Sequence, residues 1–153
     1  MNLPEGIGTK EVLIGAGILV VIAVITIPLV GYTQKKNRRA ECESLVESIR
    51  TLQIEHGKAF PGKGYISAGW SPRDPTRLDA ESVEWKGSAG FDELGWNPSK
   101  EGYEWVRGTY RVAATKTGFT VYGKCDADGD GVPAEFEASL QSPTKMTTAS
   151  DIY

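Results

Sequence analysis

Residues 5–28 read EGIGTKEVLIGAGILVVIAVITIP, an apolar run with one carboxylate, Glu11, at its start. From Val12 to Tyr32 no side chain titrates near neutral pH. About twenty helical residues, each rising ~1.5 Å, cross the ~30 Å hydrocarbon core of a bilayer. This stretch is long enough for a transmembrane helix, and it predicts an amino-terminal anchor followed by a small head.

The composition is that of a polar protein whose apolar residues are concentrated at one end. The chain has 153 residues, a net charge of −3 and a mean hydropathy of −0.29, which leaves material for one modest domain beyond the apolar run. Basic residues are not interleaved with aromatic ones as on a phosphate-tracking surface, so no nucleic-acid partner is indicated. A cleaved secretory signal fits poorly, because Met1–Gly6 lacks Lys and Arg and the apolar run exceeds the usual ~7–15 residues.

The helix is predicted to continue as an amphipathic segment over residues 33–57. Mostly apolar side chains recur there at spacings of three and four. In a helix they would lie on one stripe, which is expected to face the head. The stripe comprises Cys42, Leu45, Ile49, Leu52 and His56. Gly57 is expected to end the helix, because glycine is favoured just after a helix C-terminus.

Charged residues on this helix give conflicting signals. The basic cluster at residues 35–39 directly follows the apolar run, and the positive-inside rule would place that flank in the cytoplasm. The cysteines and the turn-rich head suit an oxidising exterior instead. Glu41, Glu43 and Glu47 follow the basic cluster, so the two blocks either pair between neighbouring copies of the chain or are ordinary solvated helix faces.

Residues 58–102 are predicted to form a long loop region with short elements. The segment is rich in Gly, Pro and Ser and has no sustained period. Trp70, Trp85 and Trp96 would be unusual in a disordered linker, so the segment is expected to pack over a sheet.

Alternating apolar residues between positions 103 and 153 predict an antiparallel sheet. The expected inward-facing residues are Tyr110, Val112 and Ala114 in a first strand, Phe119, Val121, Gly123 and Cys125 in a second, and Phe136, Ala138 and Leu140 in a third over 135–140. The predicted fold class is α+β, with a long amino-terminal helix packed on a small antiparallel sheet.

The sequence contains no recognisable catalytic constellation. Its single histidine, His56, lies on the helix stripe, where a packed imidazole is far commoner than a catalytic base. No Gly-x-Ser-x-Gly, phosphate loop or zinc-ligand spacing is present. The chain is therefore interpreted as a non-enzyme.

Gly6, followed by Glu11 and by an apolar helix interrupted at Pro28, resembles the amino-terminal segment of bacterial type IV pilin precursors. The segments GFDELGW, VRGTYRV, FTVYGKCDADGDGVPA and SDIY are similar to the carboxy-terminal region of one branch of pilin-like proteins. The resemblance implies a pilin-like fold and a leader, residues 1–6, removed between Gly6 and Ile7 by a prepilin peptidase that methylates the new terminus. A cut after Gly8 is the rival, but it would make Glu11 the third mature residue instead of the fifth.

The resemblance also implies a function. The chain would be a structural subunit of a type IV pilus-like filament, held in the inner membrane by residues 7–32 as a precursor and extracellular after assembly. Its partners would be identical or related pilin subunits, the peptidase and the assembly machinery. The alternatives are a type II secretion pseudopilin, a minor pilin, or a single-pass membrane protein with an external calcium-binding or recognition domain.

Glu11 and Pro28 have assembly roles in this interpretation. A carboxylate one turn along a neighbouring helix would compensate the buried cationic amino terminus created at Ile7 and fix the axial register of subunits. Alternatively, Glu11 is an ordinary helix-start acid favoured by the helix dipole, or is neutralised by Lys10. Pro28 would bend or locally melt the helix in a filament, although many membrane helices tolerate proline without such a role.

The two cysteines are predicted to form a disulfide. Cys42 lies on the helix stripe and Cys125 on the apolar face of a strand, so both thiols would point into one helix–sheet interface. The alternative is two buried free cysteines, which behave as small hydrophobic residues.

Residues 126–137, DADGDGVPAEFE, match the D-x-D-x-D-G-x5-E spacing of a calcium loop. Asp126, Asp128 and Asp130 are the predicted side-chain ligands, with a backbone carbonyl near Val132 and the carboxylate of Glu137 as further ligands. Strand-like sequences flank the loop where an EF-hand has helices, and Glu137 should point outward beside core-facing Phe136. The alternative is an acidic hairpin loop kept soluble by its charges.

Overall fold

The computed structural model describes the backbone of residues 9–153 and the side chains of residues 30–153. The chain divides into two compact units, the first ending at Gln34 and the second covering Lys35–Tyr153. The described part of the first unit belongs to helix α1, which runs over Thr9–Ala59. The second unit holds the rest of α1 and every strand of the described part.

Several predicted features lie outside the described residues. Gly6 and Ile7, the leader junction, precede the described backbone. Glu11 and Pro28 fall within the bounds of α1, but their side chains lie outside the described set. Most of the predicted membrane span, residues 7–32, also lies outside it. Among the residues that were described, no helix contains a stretch both long and apolar enough to traverse a bilayer.

Helix α1 carries the predicted stripe into the core of the second unit, although its last two members, Leu52 and His56, are only partly buried. Cys42, Leu45 and Ile49 are fully buried there. The predicted helix end is two residues short, because α1 continues past Gly57 to Ala59. A Cβ added at Gly57 would lie only 2.7 Å from a ring carbon of Tyr65, so this glycine permits close packing rather than ending the helix.

The main sheet has five antiparallel strands in the order β1-β4-β5-β6-β7. Its strands are β1 (Ala68–Ser71), β4 (Thr109–Ala114), β5 (Phe119–Cys125), β6 (Ala134–Ser139) and β7 (Lys145–Met146). The three predicted strands are therefore confirmed as its centre. The third begins and ends one residue earlier than the expected 135–140.

Side-chain alternation in these strands explains which face is buried. Residues at alternate positions of a strand point to opposite faces, and in β5 Val121 and Cys125 are fully buried whereas Tyr122 and Lys124 are only half-buried. In β4, Thr109 is buried as well, contrary to simple alternation. Its hydroxyl donates a 2.7 Å hydrogen bond to the backbone carbonyl of Arg73, which satisfies it inside the protein.

Residues 58–102, predicted as a loop region, contribute more regular structure than expected. They contain the edge strand β1, strand β2 (Val83–Glu84) and the short helix α2 (Ala89–Leu94). Strand β2 pairs with β3 (Trp105–Val106) in a separate two-stranded sheet. A 3-10 turn follows α2 at Pro98–Glu101.

The predicted packing of the tryptophan-rich segment is confirmed. Trp96 is buried in the core cluster, with its ring centroid 5.5 Å from that of Tyr110 in β4 and 4.7 Å from that of Trp85. Edge-on aromatic contacts of this kind are favourable beyond the area that they bury. The segment is thereby anchored to the main sheet.

Helix and sheet approach each other closely at one glycine. A Cβ added to Gly123 of β5 would lie 2.4 Å from Cγ2 of Val46, so only glycine fits this position without a shift in the packing. Beside this contact the disulfide Cys42–Cys125 joins α1 to the end of β5. The predicted bond is therefore present.

Candidate functional site

The aspartate loop, residues 126–133, connects β5 to β6. It starts directly after Cys125, so the strand and the disulfide fix its first residue. Asp126 is only 1% exposed, and its two carboxylate oxygens accept the N–H groups of Gly129 at 2.7 Å and Gly131 at 2.9 Å. Both glycines have positive φ, 78° and 84°, a conformation that other residues rarely adopt. The loop therefore curls around the carboxylate of Asp126.

This curl brings three of the predicted metal ligands together. Asp126, Asp128 and Asp130 each offer one carboxylate oxygen, and these three oxygens all lie within 4.8 Å of one another. Oxygens on opposite sides of a cation bound at 2.3–2.6 Å are about 5 Å apart. The three aspartates therefore form a group that could hold a metal ion.

The other two predicted ligands are placed differently. Val132 is exposed at the end of the loop, and its N–H donates a 2.8 Å hydrogen bond to Oδ1 of Asp130; the role of its carbonyl stays a prediction. Glu137 pairs with Tyr122 in the middle of the β5–β6 ladder. Each successive residue of a strand lies ~3.3 Å further along it, so β6 carries Glu137 away from the loop. Among the described residues, Glu137 is not part of the carboxylate cluster.

Helix α1 supplies a cation to this loop. Nζ of Lys35 lies 3.2 Å from Oδ2 of Asp128, whose side chain is 14% exposed. Nη1 of Arg38 donates a 3.4 Å hydrogen bond to the carbonyl of Ala127. The other oxygen of Asp128, Oδ1, is buried and has no hydrogen-bond partner among the described residues. One acceptor of the group therefore remains available to a cation.

The contacts of residues 35–39 with the head were missed at the level of sequence. The sequence alone predicts that the basic cluster is a membrane flank, a block that pairs between neighbouring copies of the chain, or an ordinary solvated helix face. In the structure Arg39 donates to the carbonyls of Ser150 at 2.7 Å and Ile152 at 2.8 Å, and its guanidinium carbon lies 4.5 Å from the ring centroid of Tyr153. The only available signal was the opposite charge of segments some ninety residues apart, which does not specify a pairing.

Glu41, from the predicted acidic block, also finds its partner within the chain. Its side chain is buried, and Arg107 donates to it twice, from the backbone N–H at 2.9 Å and from Nη1 at 3.0 Å. A buried carboxylate needs such paired donors to offset its lost hydration. Nearby, burial raises the pKa of the Tyr110 hydroxyl well above its usual value, and the charge of Glu41 adds to the effect.

Glu47 links α1 to the segment before β7. Its Oε2 accepts both the hydroxyl of Thr144 at 2.7 Å and its N–H at 2.9 Å, and its Oε1 accepts Nη1 of Arg50 at 2.7 Å. Partial burial by itself raises the pKa of Glu47, but the hydrogen bonds from Thr144 and Arg50 outweigh it, so the pKa is lowered. The ionised carboxylate is therefore the form that the fold stabilises.

Comparisons of the chain with known protein families, with curated proteins and with solved structures found no match.

Proposed function

We propose that this chain is a structural subunit of a type IV pilus-like filament that assembles through its apolar amino-terminal helix after loss of a leader. The supporting observation is that one helix, Thr9–Ala59, carries two different apolar patterns. The stripe from Cys42 to Ile49 is buried in the head. The preceding sequence, from Val12 to Tyr32, is apolar all round, and a helix of that kind is stable only inside lipid or among other helices.

The alternatives share part of this proposal. A pseudopilin of a type II secretion system or a minor pilin would use the same processing and the same helix, with a different assembly as partner. The precursor would lie in the inner membrane and the assembled subunit outside the cell, where the disulfide is compatible with an oxidising environment. A single-pass membrane protein would retain its leader residues, and this difference is measurable.

Mass spectrometry of the chain extracted from membranes tests the processing step. The proposal expects a mature chain that begins at Ile7 with a methylated amino group. A Gly8→Ala variant is the matched control, because its cleavage should be unchanged if the cut follows Gly6 and lost if the cut follows Gly8. An extracted chain that still begins at Met1 contradicts the filament proposal.

Assembly is tested by changing Glu11. Glu11→Val should leave insertion into the membrane intact but reduce the yield of sheared surface filaments, because the compensating charge and the register are lost. Glu11→Asp keeps the charge and serves as the control, with a smaller loss expected. Filaments built from Glu11→Val in wild-type numbers would refute the registration role.

We also propose, as a second function of the head, that the aspartate loop binds calcium. Three carboxylate oxygens within 4.8 Å, one of them from a side chain with an unpaired buried oxygen, support this proposal. Carboxylate and carbonyl oxygens are the ligands that calcium prefers, and external calcium sites have dissociation constants of about 0.1–1 mM. The hydrogen bonds of Asp126 leave further lone pairs on both of its oxygens.

The contact between Lys35 and Asp128 allows the calcium affinity of the loop to be changed in a predictable direction. Its ammonium group contacts Asp128 at 3.2 Å, so it competes with a cation for the same carboxylate. Calorimetry with CaCl₂ on the full-length chain should show binding that Asp128→Ala abolishes. Lys35→Gln should tighten binding roughly threefold to tenfold, because a nearby positive charge is removed. Lys36→Gln, which removes an exposed neighbouring charge, is the control; the absence of heat at millimolar calcium would contradict the site.

A further inference from the structure

Trp105 is a large aromatic side chain left 56% exposed on a short paired strand. It lies in β3 opposite Glu84 of β2. The neighbouring Trp85 turns the other way, with its ring centroid 5.5 Å from that of Phe91 and 4.7 Å from that of Trp96 in the core. Within the strand pair, Val106 is buried and its partner Val83 packs against the core. Because adjacent residues of a strand face opposite sides, Glu84 and Trp105 lie together on the outer side.

Trp105 separates two depressions. The larger, about 450 Å³, is called the Trp105 groove; besides Trp105 its walls include Pro72, Arg73, Ser82, Glu84 and Lys86. The smaller, about 380 Å³, lies beside it and is bordered by Ser99, Tyr103 and Glu104. Both volumes fall within the range of about 300–1,000 Å³ that is usual for ligand sites. Trp105 therefore borders both depressions. A ligand too long for one depression could extend across Trp105 into the other.

The charges of the Trp105 groove are balanced. Both terminal nitrogens of the Arg73 guanidinium are engaged, since Nη1 donates to Oδ1 of Asp79 at 2.7 Å and Nη2 donates to the carbonyl of Glu81. Its third nitrogen, Nε, is buried and has no partner among the described residues. Lys86 and Glu84 are exposed and opposite in sign. An anionic ligand would gain little from a guanidinium whose terminal nitrogens are engaged elsewhere, and repulsion from Glu84 would offset its attraction to Lys86. A wholly apolar ligand would strip water from both exposed charges without replacing their hydrogen bonds.

We propose that the Trp105 groove binds a neutral oligosaccharide of more than one sugar ring. A pyranose has a face of C–H groups, which packs on an indole whose π face is partially negative. Its rim of hydroxyl groups both donates and accepts hydrogen bonds. Glu84 supplies acceptors, Lys86 supplies donors and Ser82 supplies both, so the groove offers partners to each kind of hydroxyl contact. The proposal does not depend on filament assembly, because every residue in it belongs to the head.

The test uses the full-length ¹⁵N-labelled chain in a non-glycosidic detergent, so that the detergent does not compete as a sugar. The probes are the neutral tetrasaccharides of glucose, mannose and N-acetylglucosamine, with tetragalacturonate as the anionic probe and a proline-rich peptide as the protein-like probe. The readout is the indole N–H resonance of Trp105, assigned by its loss in Trp105→Phe. At least one neutral tetrasaccharide should shift this resonance saturably, and tetragalacturonate should not.

Variants separate groove binding from general stickiness. Trp105→Ala should weaken binding of the neutral tetrasaccharide about tenfold, as measured by calorimetry, which corresponds to ~1.4 kcal/mol. Trp105→Phe keeps an aromatic face and should lose less. Glu84→Gln should also weaken binding, and it gives a second measurement if Trp105→Ala fails to fold. Phe60→Ala is the matched control, because Phe60 is 46% exposed and lies outside the groove, and binding should be unchanged.

Three outcomes would overturn the proposal. The first is no saturable shift with any neutral tetrasaccharide at about 10 mM, a concentration that would occupy a millimolar site. The second is binding that persists unchanged in the Trp105 and Glu84 variants. The third is preferential binding of tetragalacturonate or of the proline-rich peptide, which would assign the groove to an anion or to a protein partner.

Discussion

Reduction of the Cys42–Cys125 disulfide should remove a large share of the stability of the head. The bond closes a loop with a sequence separation of 83, and the chain-entropy relation gives about 4.6 kcal/mol for a loop of that length near 25 °C. The free energy of unfolding of a small domain is only about 5–15 kcal/mol. The reduced head should therefore be close to its limit of stability.

Urea unfolding followed by tryptophan fluorescence measures this loss, because the four tryptophans of the chain all lie in the head. With slopes of about 1–3 kcal/mol per M, a loss of about 4.6 kcal/mol should lower the urea midpoint by roughly 1.5–4.5 M. The double variant Cys42→Ala/Cys125→Ala is the control. It should be insensitive to reductant and somewhat less stable than the reduced wild type, since both sulfur positions are fully buried and would become small cavities.

Equal midpoints for the oxidised and the reduced protein would refute this reasoning. Such a result would mean that the unfolded chain is already compact enough for the cross-link to restrict it little.

Two further predictions concern packing and charge. Gly123→Ala should lower the free energy of unfolding by about 1–3 kcal/mol in the same urea assay, because its Cβ would press on Val46; Gly118→Ala, where the space is open, should change it little, and equal effects would contradict this explanation. Partial burial opposes the lowering of the Glu47 pKa, but the hydrogen bonds from Thr144 outweigh it. The ionised carboxylate thus contributes stability above pH ~4.5, and this stability is lost as the pH falls through the lower pKa of the folded state. Glu47→Gln should therefore destabilise the protein at pH 7 but much less near pH 3. A loss of unfolding free energy that is independent of pH would refute this assignment.

Local periodicity in the sequence was enough to predict the helix stripe and the buried strand faces. Spacings of three and four placed Cys42 and Ile49 on one helix stripe, and alternation placed Val121 and Cys125 on one face of a strand. These patterns are local because the helical and extended backbones repeat every 3.6 and 2 residues. The apolar stripe of the helix and the apolar face of the strand are buried by packing on each other. Cys42 and Cys125 were therefore expected in the same interface, which is the basis of the disulfide prediction.

Close packing between distant segments decided what periodicity could not. Gly57 looked like a helix stop, but its lack of a side chain makes room for the ring of Tyr65. Gln53 of α1 is fully buried although it is polar. Its burial is tolerated because its side-chain amide donates a hydrogen bond to the backbone carbonyl of Ile66 and accepts one from the backbone N–H of Ile66. Strand β1 escaped prediction because it has only four residues and owes its form to pairing with β4.

The candidate metal site divides in the same way. Asp126, Asp128 and Asp130 were identifiable because their convergence is a local property of a glycine-rich loop. Glu137 fits the sequence spacing of a calcium loop, but it lies in β6, where it pairs with Tyr122. In a strand, the spacing of a calcium loop no longer predicts where the side chain points. Lys35 reaches Asp128 only because the folded helix and sheet bring residues 93 positions apart into contact. Tertiary structure alone decided that pairing, since Coulomb attraction favours any opposite charge within reach and the fold determines which one is near.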